Sequence, residues 1–163
     1  MPLHRFSRTE LLIGTKGLAT LADKHVMICG IGGVGSYAAE ALGRAGVGKI
    51  TLVDFDDICQ TNINRQIHAL SSTVGQQKVD VMAARLRDIN PAATIVPIKE
   101  FFSRENADRL LMPRPDYVLD AIDHFTAKTA LITICRQLGI PIISSMGAAN
   151  KLDPTKIEVS DIS

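Results

Sequence analysis

The chain has 163 residues, the size of one compact domain, and its 46% of hydrophobic and 21% of charged residues exclude an intrinsically disordered protein. The formal net charge is +1, so the chain has no excess of basic residues that would by itself indicate a nucleic-acid partner, and none is excluded. The three cysteines form no C-x-x-C pair, which argues against a disulfide framework and a structural zinc site and favours reduced thiols in a cytoplasmic protein.

The sequence predicts neither a signal peptide nor a membrane span. Residues 1–12, MPLHRFSRTELL, lack the apolar run of a signal peptide. The uncharged stretch from Val26 to Ala39 is too short to cross a bilayer and contains four glycines. We therefore expect a cytoplasmic protein without membrane contact.

Strand and helix patterns alternate along the chain. HVMICG, at 25–30, is an apolar run that ends in glycine and predicts a buried strand. SYAAEALGRAG, at 36–46, predicts a helix that Gly46 closes, and Ser103 is predicted to cap a later helix. In chain order, we predict strands at 25–30, 49–54, 94–101, 116–123, 141–147 and about 156–160, and helices at 36–46, 77–90, 103–112 and 126–139.

This alternation predicts a Rossmann-like, doubly wound α/β fold, with a mainly parallel sheet and helices on both of its faces. We divide the chain into an N-terminal helical arm at 1–24, a Rossmann-like core at 25–147 and the start of a further part at 148–163. The last part ends without a helix or a cap, so we expect the protein to continue beyond it.

A glycine-rich turn, GIGGVGS at 30–36, lies between the first strand and the first helix of the core. Gly30, Gly32 and Gly35 fit the pattern G-x-G-x-x-G, in which the backbone approaches a phosphate closely and the helix N-terminus attracts it. Asp54 ends the next strand, where a carboxylate can accept hydrogen bonds from ribose hydroxyls. The turn therefore predicts a nucleotide site, and NAD and ATP both remain open at this point.

A polar cluster, which includes the segment TNINRQ at 61–66, follows that acidic strand end. ATP carries about four negative charges and usually Mg²⁺, so its site needs more cations and polar groups than an NAD site does. Arg65 can bind two phosphate oxygens with its forked guanidinium, and Lys78 can add a point charge. Asn62 can donate an amide N–H. The cluster favours ATP.

The segment DAIDH, at 120–124, ends a strand and is predicted at the carboxyl edge of the sheet, where ligands of such folds bind. Asp123 could hold Mg²⁺ against the triphosphate. Asp120 is either a site residue or a structural partner inside the strand. His124 either replaces an amide at the metal or ribose or has no role there.

These motifs resemble the ubiquitin-activating-enzyme-like superfamily of adenylating enzymes. The resemblance covers nearly the whole chain, through GIGGVGS, LVDFDDI, TNINRQ, the Lys78 helix, INP and DAID. NRQIHAL, TVGQQKV and ISSMGAANKLDPTKIEVSDIS resemble the branch that dehydrates threonylcarbamoyladenosine in tRNA. The resemblance implies that 1–163 form an ATP-binding adenylation domain.

The implied activity is an ATP-dependent dehydration of tRNA that carries threonylcarbamoyladenosine. The threonyl carboxylate attacks the α-phosphate, which gives an acyl-adenylate and pyrophosphate. The threonylcarbamoyl group then closes on the activated carboxyl and expels AMP. The protein has to align the reactants and neutralise phosphate charge, and no protein nucleophile is required.

The resemblance also implies roles for individual residues. The turn glycines contact the phosphates, Asp54 holds the ribose, and Asp123 binds Mg²⁺. The implied nucleotide-binding residues are Arg8, Gly30, Gly32, Gly33, Gly35, Asp54, Asp56, Asn62, Arg65 and Lys78, and the implied catalytic residues are Arg65, Lys78 and Asp123. Arg8 would reach the ATP of a partner subunit, which makes a homodimer the expected unit. A cysteine-desulfurase or sulfur-acceptor system is a further candidate partner.

Two other functions remain open. One is an adenylating activator of the C-terminal glycine of a small sulfur-carrier protein, which would share the ATP site and differ in the acceptor. The other is a module that senses NAD or ATP without chemistry. The presence of Arg65, Lys78 and Asp123 argues against such a module.

Cys59 is interpreted as a bystander thiol rather than a reactive one, and His68 as a structural hydrogen-bonding residue.

Overall fold

Five strands form one parallel sheet with helices on both faces, which confirms the predicted α/β class. This computed structural model describes residues 3–148 and 152–161. The strands are β1 His25–Cys29, β2 Lys49–Val53, β3 Thr94–Ile98, β4 Tyr117–Asp120 and β5 Ile142–Ser144. The helices are α1 Ser7–Ala22, α2 Gly33–Ala45, α3 Lys78–Ile89, α4 Ala107–Leu110 and α5 Phe125–Leu138, with 3-10 turns at Gln60–Asn62 and Pro154–Lys156. Within these described ranges, no helix is long and apolar enough to cross a membrane.

Each face of the sheet carries its own hydrophobic core. Val26 and Ile28 of β1 point into the core beneath α2 and α3, whereas Met27 and Cys29 point into the core beneath α4 and α5. Because both faces of β1 are buried, its sequence is an uninterrupted apolar run rather than an alternation of apolar and polar residues.

The order of the strands is β3-β2-β1-β4-β5, and it places the predicted motifs together. The chain leaves β1 toward β2 on one side and later crosses to β4 on the other side. The connections at the carboxyl ends of β1 and β4 therefore diverge, and such a point opens a crevice for a ligand. The glycine turn follows β1 and the DAIDH segment follows β4, so both motifs border this crevice.

Two predicted elements are wrong. No strand forms at 156–160, where the 3-10 turn is followed by irregular chain and every described residue of 152–161 is exposed. A strand needs a paired neighbour and a buried face, and this segment has neither among the described residues. The helix predicted at 103–112 is reduced to the four residues of α4. Ser103 does not cap it, because its backbone N–H donates to Asn106 Oδ1 and closes a turn before the helix.

Other elements differ from the predictions only at their ends. The fourth strand stops at Asp120 rather than at 123, because the Asp120 side chain accepts a hydrogen bond from the N–H of Ile122 and turns the chain. Pro97 is tolerated in β3 because β3 lies at the edge of the sheet. The early end of β4 leaves 121–124 as a loop at the crevice.

Candidate active site

The glycine turn packs tightly against the loop that follows β4. Gly30 has a φ of 88°, and a Cβ atom there would lie 2.6 Å from the carbonyl oxygen of Ala121. A Cβ atom on Gly35 would lie 1.8 Å from the carbonyl oxygen of Gly30, so both positions require glycine. Among the described residues, no side chain caps the first turn of α2, which leaves its N–H groups available to an anion.

Asp54, which directly follows β2, stabilises this turn by hydrogen bonds. Its carboxylate accepts hydrogen bonds from the backbone N–H groups of Ile31, at 2.6 Å, and Asp56, at 2.9 Å. Burial raises the pKa of Asp54, and the two N–H groups act against that increase. A carboxylate has about four lone-pair sites, so these two contacts leave acceptor capacity for a ribose hydroxyl.

Lys78 and Asp56 form an ion pair beside the turn. Lys78 Nζ lies 2.6 Å from Asp56 Oδ2, and the side chain of Lys78 is buried whereas that of Asp56 is partly exposed. The backbone N–H of Lys78 also donates to the carbonyl oxygen of Asp56, so the first residue of α3 is attached twice to the chain after β2. The pair holds a buried ammonium group near the acidic strand end.

Arg65 lies over the glycine turn. Carbons of its side chain are 3.6 Å from the place that a Cβ atom on Gly33 would occupy. Its guanidinium donates to the carbonyl oxygen of Thr61 at 3.1 Å and to Asn64 Oδ1 at 2.9 Å, and the residue is exposed. The structure therefore places the aliphatic part of Arg65 next to the open N-terminus of α2, 32 residues away along the chain. Its guanidinium is held by Thr61 and Asn64.

The neighbours of Arg65 in this segment have different environments. Asn62 is buried and accepts a hydrogen bond from the N–H of Cys59 at 3.0 Å, so it closes the 3-10 turn. Gln66 is buried with its Nε2 3.8 Å from the position of a Cβ on Gly32, and its Oε1 has no partner among the described residues. The sequence predicted the cluster but not that Asn62 shapes the loop.

Asp123 lies in the exposed loop between β4 and α5, two residues beyond the Ala121 contact with Gly30. The loop that carries Asp123 therefore borders the same crevice as the glycine turn. In the described part of the chain, no three histidine, cysteine, aspartate or glutamate residues form a group that could hold a metal ion. His124 caps α5, since its Nδ1 accepts a hydrogen bond from the N–H of Ala127 at 3.4 Å.

A buried ion pair beneath this loop was not predicted from the sequence. Lys128 Nζ donates to Asp120 Oδ2 at 2.7 Å, to the carbonyl oxygen of Ser145 at 2.9 Å and to Ser144 Oγ at 3.1 Å. Asp120 also accepts from Ser144 Oγ and from the N–H of Ile122. Asp120 is thus a structural partner that joins β4, β5 and α5. The sequence contains one indication of this buried pair, because Lys128 stands among the apolar positions of the helix pattern of α5.

Three further residues were considered in the sequence, and each has a different environment. Arg8 is exposed on α1, and α1 packs at Gly46 and Gly48, near the opposite end of α2 from the glycine turn. The structure therefore does not bring Arg8 to the site within one chain. His68 is buried, and burial lowers its pKa to about 4. The predicted hydrogen-bonding role of its side chain is wrong, because neither ring nitrogen has a hydrogen-bond partner among the described residues. Cys59 is exposed, and a hydrogen bond from the Thr61 hydroxyl lowers its pKa.

Known proteins are similar to this chain over nearly its whole length. The chain is 54% identical over 161 residues to the tRNA threonylcarbamoyladenosine dehydratase of Bacillus subtilis, covering 99% of this chain and 63% of the relative. It is 48% identical to the Escherichia coli protein of that name, covering 98% and 59%. It is 34% identical to the molybdopterin-synthase adenylyltransferase of E. coli, covering 91% and 59%. The chain thus spans about three fifths of the length of these relatives.

Solved structures with the same fold include nucleotide complexes. The E. coli tRNA threonylcarbamoyladenosine dehydratase in complex with ATP superposes with a TM-score of 0.94 at 48% identity, covering 96% of this chain and 65% of that one. E. coli MccB with ATP superposes with a TM-score of 0.80 at 26% identity, covering 88% and 44%. Residues 6–160 match the ThiF family. The resemblance predicted from the sequence is confirmed, and the chain belongs to the ThiF family.

Proposed function

We propose that this chain carries the adenylation site of an ATP-dependent dehydratase whose substrate is threonylcarbamoyladenosine in tRNA. The observation that carries the proposal is the Arg65 side chain lying over Gly33, at the open N-terminus of α2. This arrangement provides backbone N–H groups and a forked cation at one place, which suits a triphosphate. Similarity to the E. coli dehydratase that was solved with ATP supports the same function. A cytoplasmic location suits a tRNA substrate.

The reaction has two steps. First, an oxygen of the threonyl carboxylate attacks the α-phosphorus of ATP, the bond from that phosphorus to the bridging oxygen breaks, and pyrophosphate leaves. Second, the threonylcarbamoyl group of the same substituent attacks the activated carboxyl carbon, and AMP leaves. Both steps develop negative charge on phosphate oxygens, so the main task of the protein is to hold the reactants in line and to stabilise that charge.

The residues at the crevice can divide this task. The N–H groups at the start of α2 bind phosphate oxygens, and Arg65 stabilises the pyrophosphate as it leaves. Lys78 supplies a second cation when its ammonium exchanges Asp56 for a phosphate oxygen. Asp54 accepts a hydrogen bond from a ribose hydroxyl while it continues to brace the turn.

The residues fit a magnesium ion that arrives with the nucleotide. Mg²⁺ in such sites keeps several waters and is held by one or two carboxylates together with phosphate oxygens. Asp123 offers one exposed carboxylate at the crevice, and no preformed cage accompanies it in the described chain. We assign Asp123 as the protein ligand. Mg²⁺ would neutralise phosphate charge during the attack.

A homodimer would allow Arg8 to contribute to nucleotide binding. Because Arg8 is exposed on α1 and away from the turn of its own chain, it could reach a nucleotide only in a second copy.

A cysteine-desulfurase or sulfur-acceptor system is the remaining proposed partner. The activator of a small sulfur-carrier protein is the second candidate function, because the chain is also 34% identical to a molybdopterin-synthase adenylyltransferase.

ATP–pyrophosphate exchange by the full-length protein tests the proposed function. We expect exchange that requires Mg²⁺ and tRNA bearing threonylcarbamoyladenosine, and a decrease of at least about 100-fold in the Arg65→Ala variant, since removal of one such charge contact costs about 3 kcal/mol in a transition state. Arg136→Ala is the matched control, because it removes an exposed arginine near the far end of α5. Exchange with a diglycine-ended carrier protein, and none with tRNA, would favour the second candidate.

A further inference from the structure

Three buried polar atoms in the loop between β2 and α3 have no hydrogen-bond partner among the described residues. They are Oε1 of Gln66 and the two ring nitrogens, Nδ1 and Nε2, of His68. Gln66 is 6% exposed and His68 is 2% exposed, so bulk water does not reach these atoms. Native proteins leave few buried polar groups unsatisfied, because each gives up the hydrogen bonds that it makes with water in the unfolded chain. These three atoms therefore need partners in the working protein.

The loop that carries both side chains is closed onto the start of α3. The carbonyl oxygen of His68 accepts a hydrogen bond from Thr73 Oγ1 at 2.8 Å. Two residues later, the N–H of Gly75 donates to the carbonyl oxygen of Ile58 at 2.8 Å, and Lys78 then begins α3. His68 and Lys78 thus belong to one compact loop, and the positive charge of Lys78 acts together with burial to lower the pKa of His68.

The hydrogen-bonding capacities of the three side chains match. The ammonium group of Lys78 has three N–H donors and pairs with one oxygen of Asp56, which leaves donors free. His68 is neutral at pH 7, because its pKa is about 4, and a neutral imidazole has one nitrogen that accepts and one N–H that donates. A chain of hydrogen bonds from Lys78 Nζ to His68, and from His68 to Gln66 Oε1, would give each of the three atoms a partner.

We propose that His68 is a positioning residue that links Lys78 to Gln66 by hydrogen bonds when a nucleotide is bound. This inference rests on the proposed function, in which the Lys78 ammonium exchanges Asp56 for a phosphate oxygen. At that point one N–H of the ammonium turns to the imidazole ring, directly or through one buried water. A neutral ring orients the ammonium without neutralising its charge, whereas the Asp56 carboxylate neutralises it. The full positive charge then acts on the phosphate.

The other end of this hydrogen-bond chain lies at the glycine turn. Gln66 Nε2 is 3.8 Å from the position that a Cβ atom on Gly32 would occupy, and Gly32 directly precedes α2. A hydrogen bond from His68 to Oε1 would fix the amide of Gln66 with its Nε2 beside the turn. The chain therefore links the position of the Lys78 ammonium to that of the turn that binds the phosphates.

A double-mutant cycle on ATP affinity tests the chain, with full-length protein, Mg²⁺ and no tRNA in the calorimeter. The cycle contains the wild-type protein, His68→Leu, Lys78→Ala and the combined variant. We expect His68→Leu to weaken ATP binding by about 10-fold or more, because a hydrogen bond to a charged group is lost. In the Lys78→Ala background the same change should alter the affinity by less than about 3-fold, because its partner is already absent.

Two further variants show whether an effect is specific. His68→Gln restores an acceptor and a donor, so it should bind ATP within about 3-fold of the wild-type protein. His25→Leu is the matched control and should bind ATP normally, because His25 is a half-buried histidine at the opposite edge of the sheet that hydrogen-bonds to Thr51. Wild-type affinity in His68→Leu would overturn the proposal. A loss that is equally large in the Lys78→Ala background would also overturn it, because it would be a merely structural effect.

Nitrogen-15 NMR of the histidine rings covers the case in which His68→Leu does not fold. The His68 signals are assigned by their absence in His68→Gln. We expect saturating ATP to shift both ring nitrogens of His68 and to leave the ring in a single neutral tautomer. A His68 spectrum that ATP does not change would overturn the proposal.

The outcome is separable from that of the proposed reaction, because none of these measurements needs tRNA. Coupling between His68 and Lys78, in a protein that shows no pyrophosphate exchange with tRNA, would leave the chain intact and refute the reaction. Exchange by a protein in which His68→Leu binds ATP normally would leave the reaction intact and refute the chain.

Discussion

Replacing Lys128 by methionine would test the buried network under the crevice. The substitution keeps the length of the side chain and removes the ammonium group that donates to Asp120, Ser144 and Ser145. Asp120 is fully buried, so its carboxylate would remain uncompensated by charge, with hydrogen bonds from Ser144 and Ile122 only. Removing one partner of a buried ion pair costs about 3–5 kcal/mol.

The expected result follows from that cost. For a domain of this size, about 1 kcal/mol corresponds to roughly 2–4 °C, so we expect the Tm of the Lys128→Met variant to fall by about 6–20 °C. The double variant Lys128→Met with Asp120→Asn should recover part of the loss, because it removes the unpaired charge. Lys16→Met, on the exposed surface of α1, is the control.

Thermal unfolding of the full-length protein, followed by circular dichroism, measures these shifts. The reasoning would be refuted if Lys128→Met lowered the Tm by less than about 2 °C. It would also be refuted if adding Asp120→Asn to Lys128→Met lowered the Tm as much as Asp120→Asn alone lowers that of the wild-type protein.

Three further predictions concern the turn and its surroundings. Gly35→Ala should abolish nucleotide binding in calorimetry, because its Cβ would lie 1.8 Å from the carbonyl oxygen of Gly30, whereas Gly147→Ala, with no atom within 4 Å, should bind normally. His68 has a pKa near 4 when folded and about 6.5 when unfolded, so the unfolded state binds more protons and stability should decrease as the pH falls from 6.5 to 4. Urea unfolding should show a weaker pH dependence over that range in His68→Gln. Iodoacetamide should alkylate Cys59 before the two buried cysteines, as peptide mass spectrometry would show, because its thiol is exposed and its pKa is lowered.

The sequence was sufficient for features that depend on local spacing. The glycine turn, Asp54 and the position of Asp123 at the carboxyl edge of the sheet were predicted because each follows or ends an apolar strand pattern, and parallel strands bring their carboxyl ends to one edge. The loop that contains Asp123 was not predicted, because the strand was expected to continue to 123. The order of the strands then decides which loops meet. That order is set by packing between distant segments, which a single sequence does not display.

The contacts that were missed all join residues of different secondary-structure elements or loops. Lys128 pairs with Asp120 inside a region predicted only as helix and strand, because an apolar pattern does not show which lysine is buried. The Phe101 ring meets Phe55 and His124 from loops after three different strands. The strand predicted at 156–160 was wrong because a local sequence pattern predicts a strand without showing whether a partner strand exists. In the described chain this segment has no partner strand.

The most direct measurement of the central claim follows an oxygen atom. Full-length protein is given ATP, Mg²⁺ and tRNA whose threonylcarbamoyladenosine carboxylate is labelled with oxygen-18, and the released AMP is examined by mass spectrometry. If the carboxylate attacks the α-phosphorus and AMP leaves on cyclisation, the AMP carries one labelled oxygen. Unlabelled AMP, or the release of ADP and phosphate instead, would contradict adenylation of the tRNA substituent at this site.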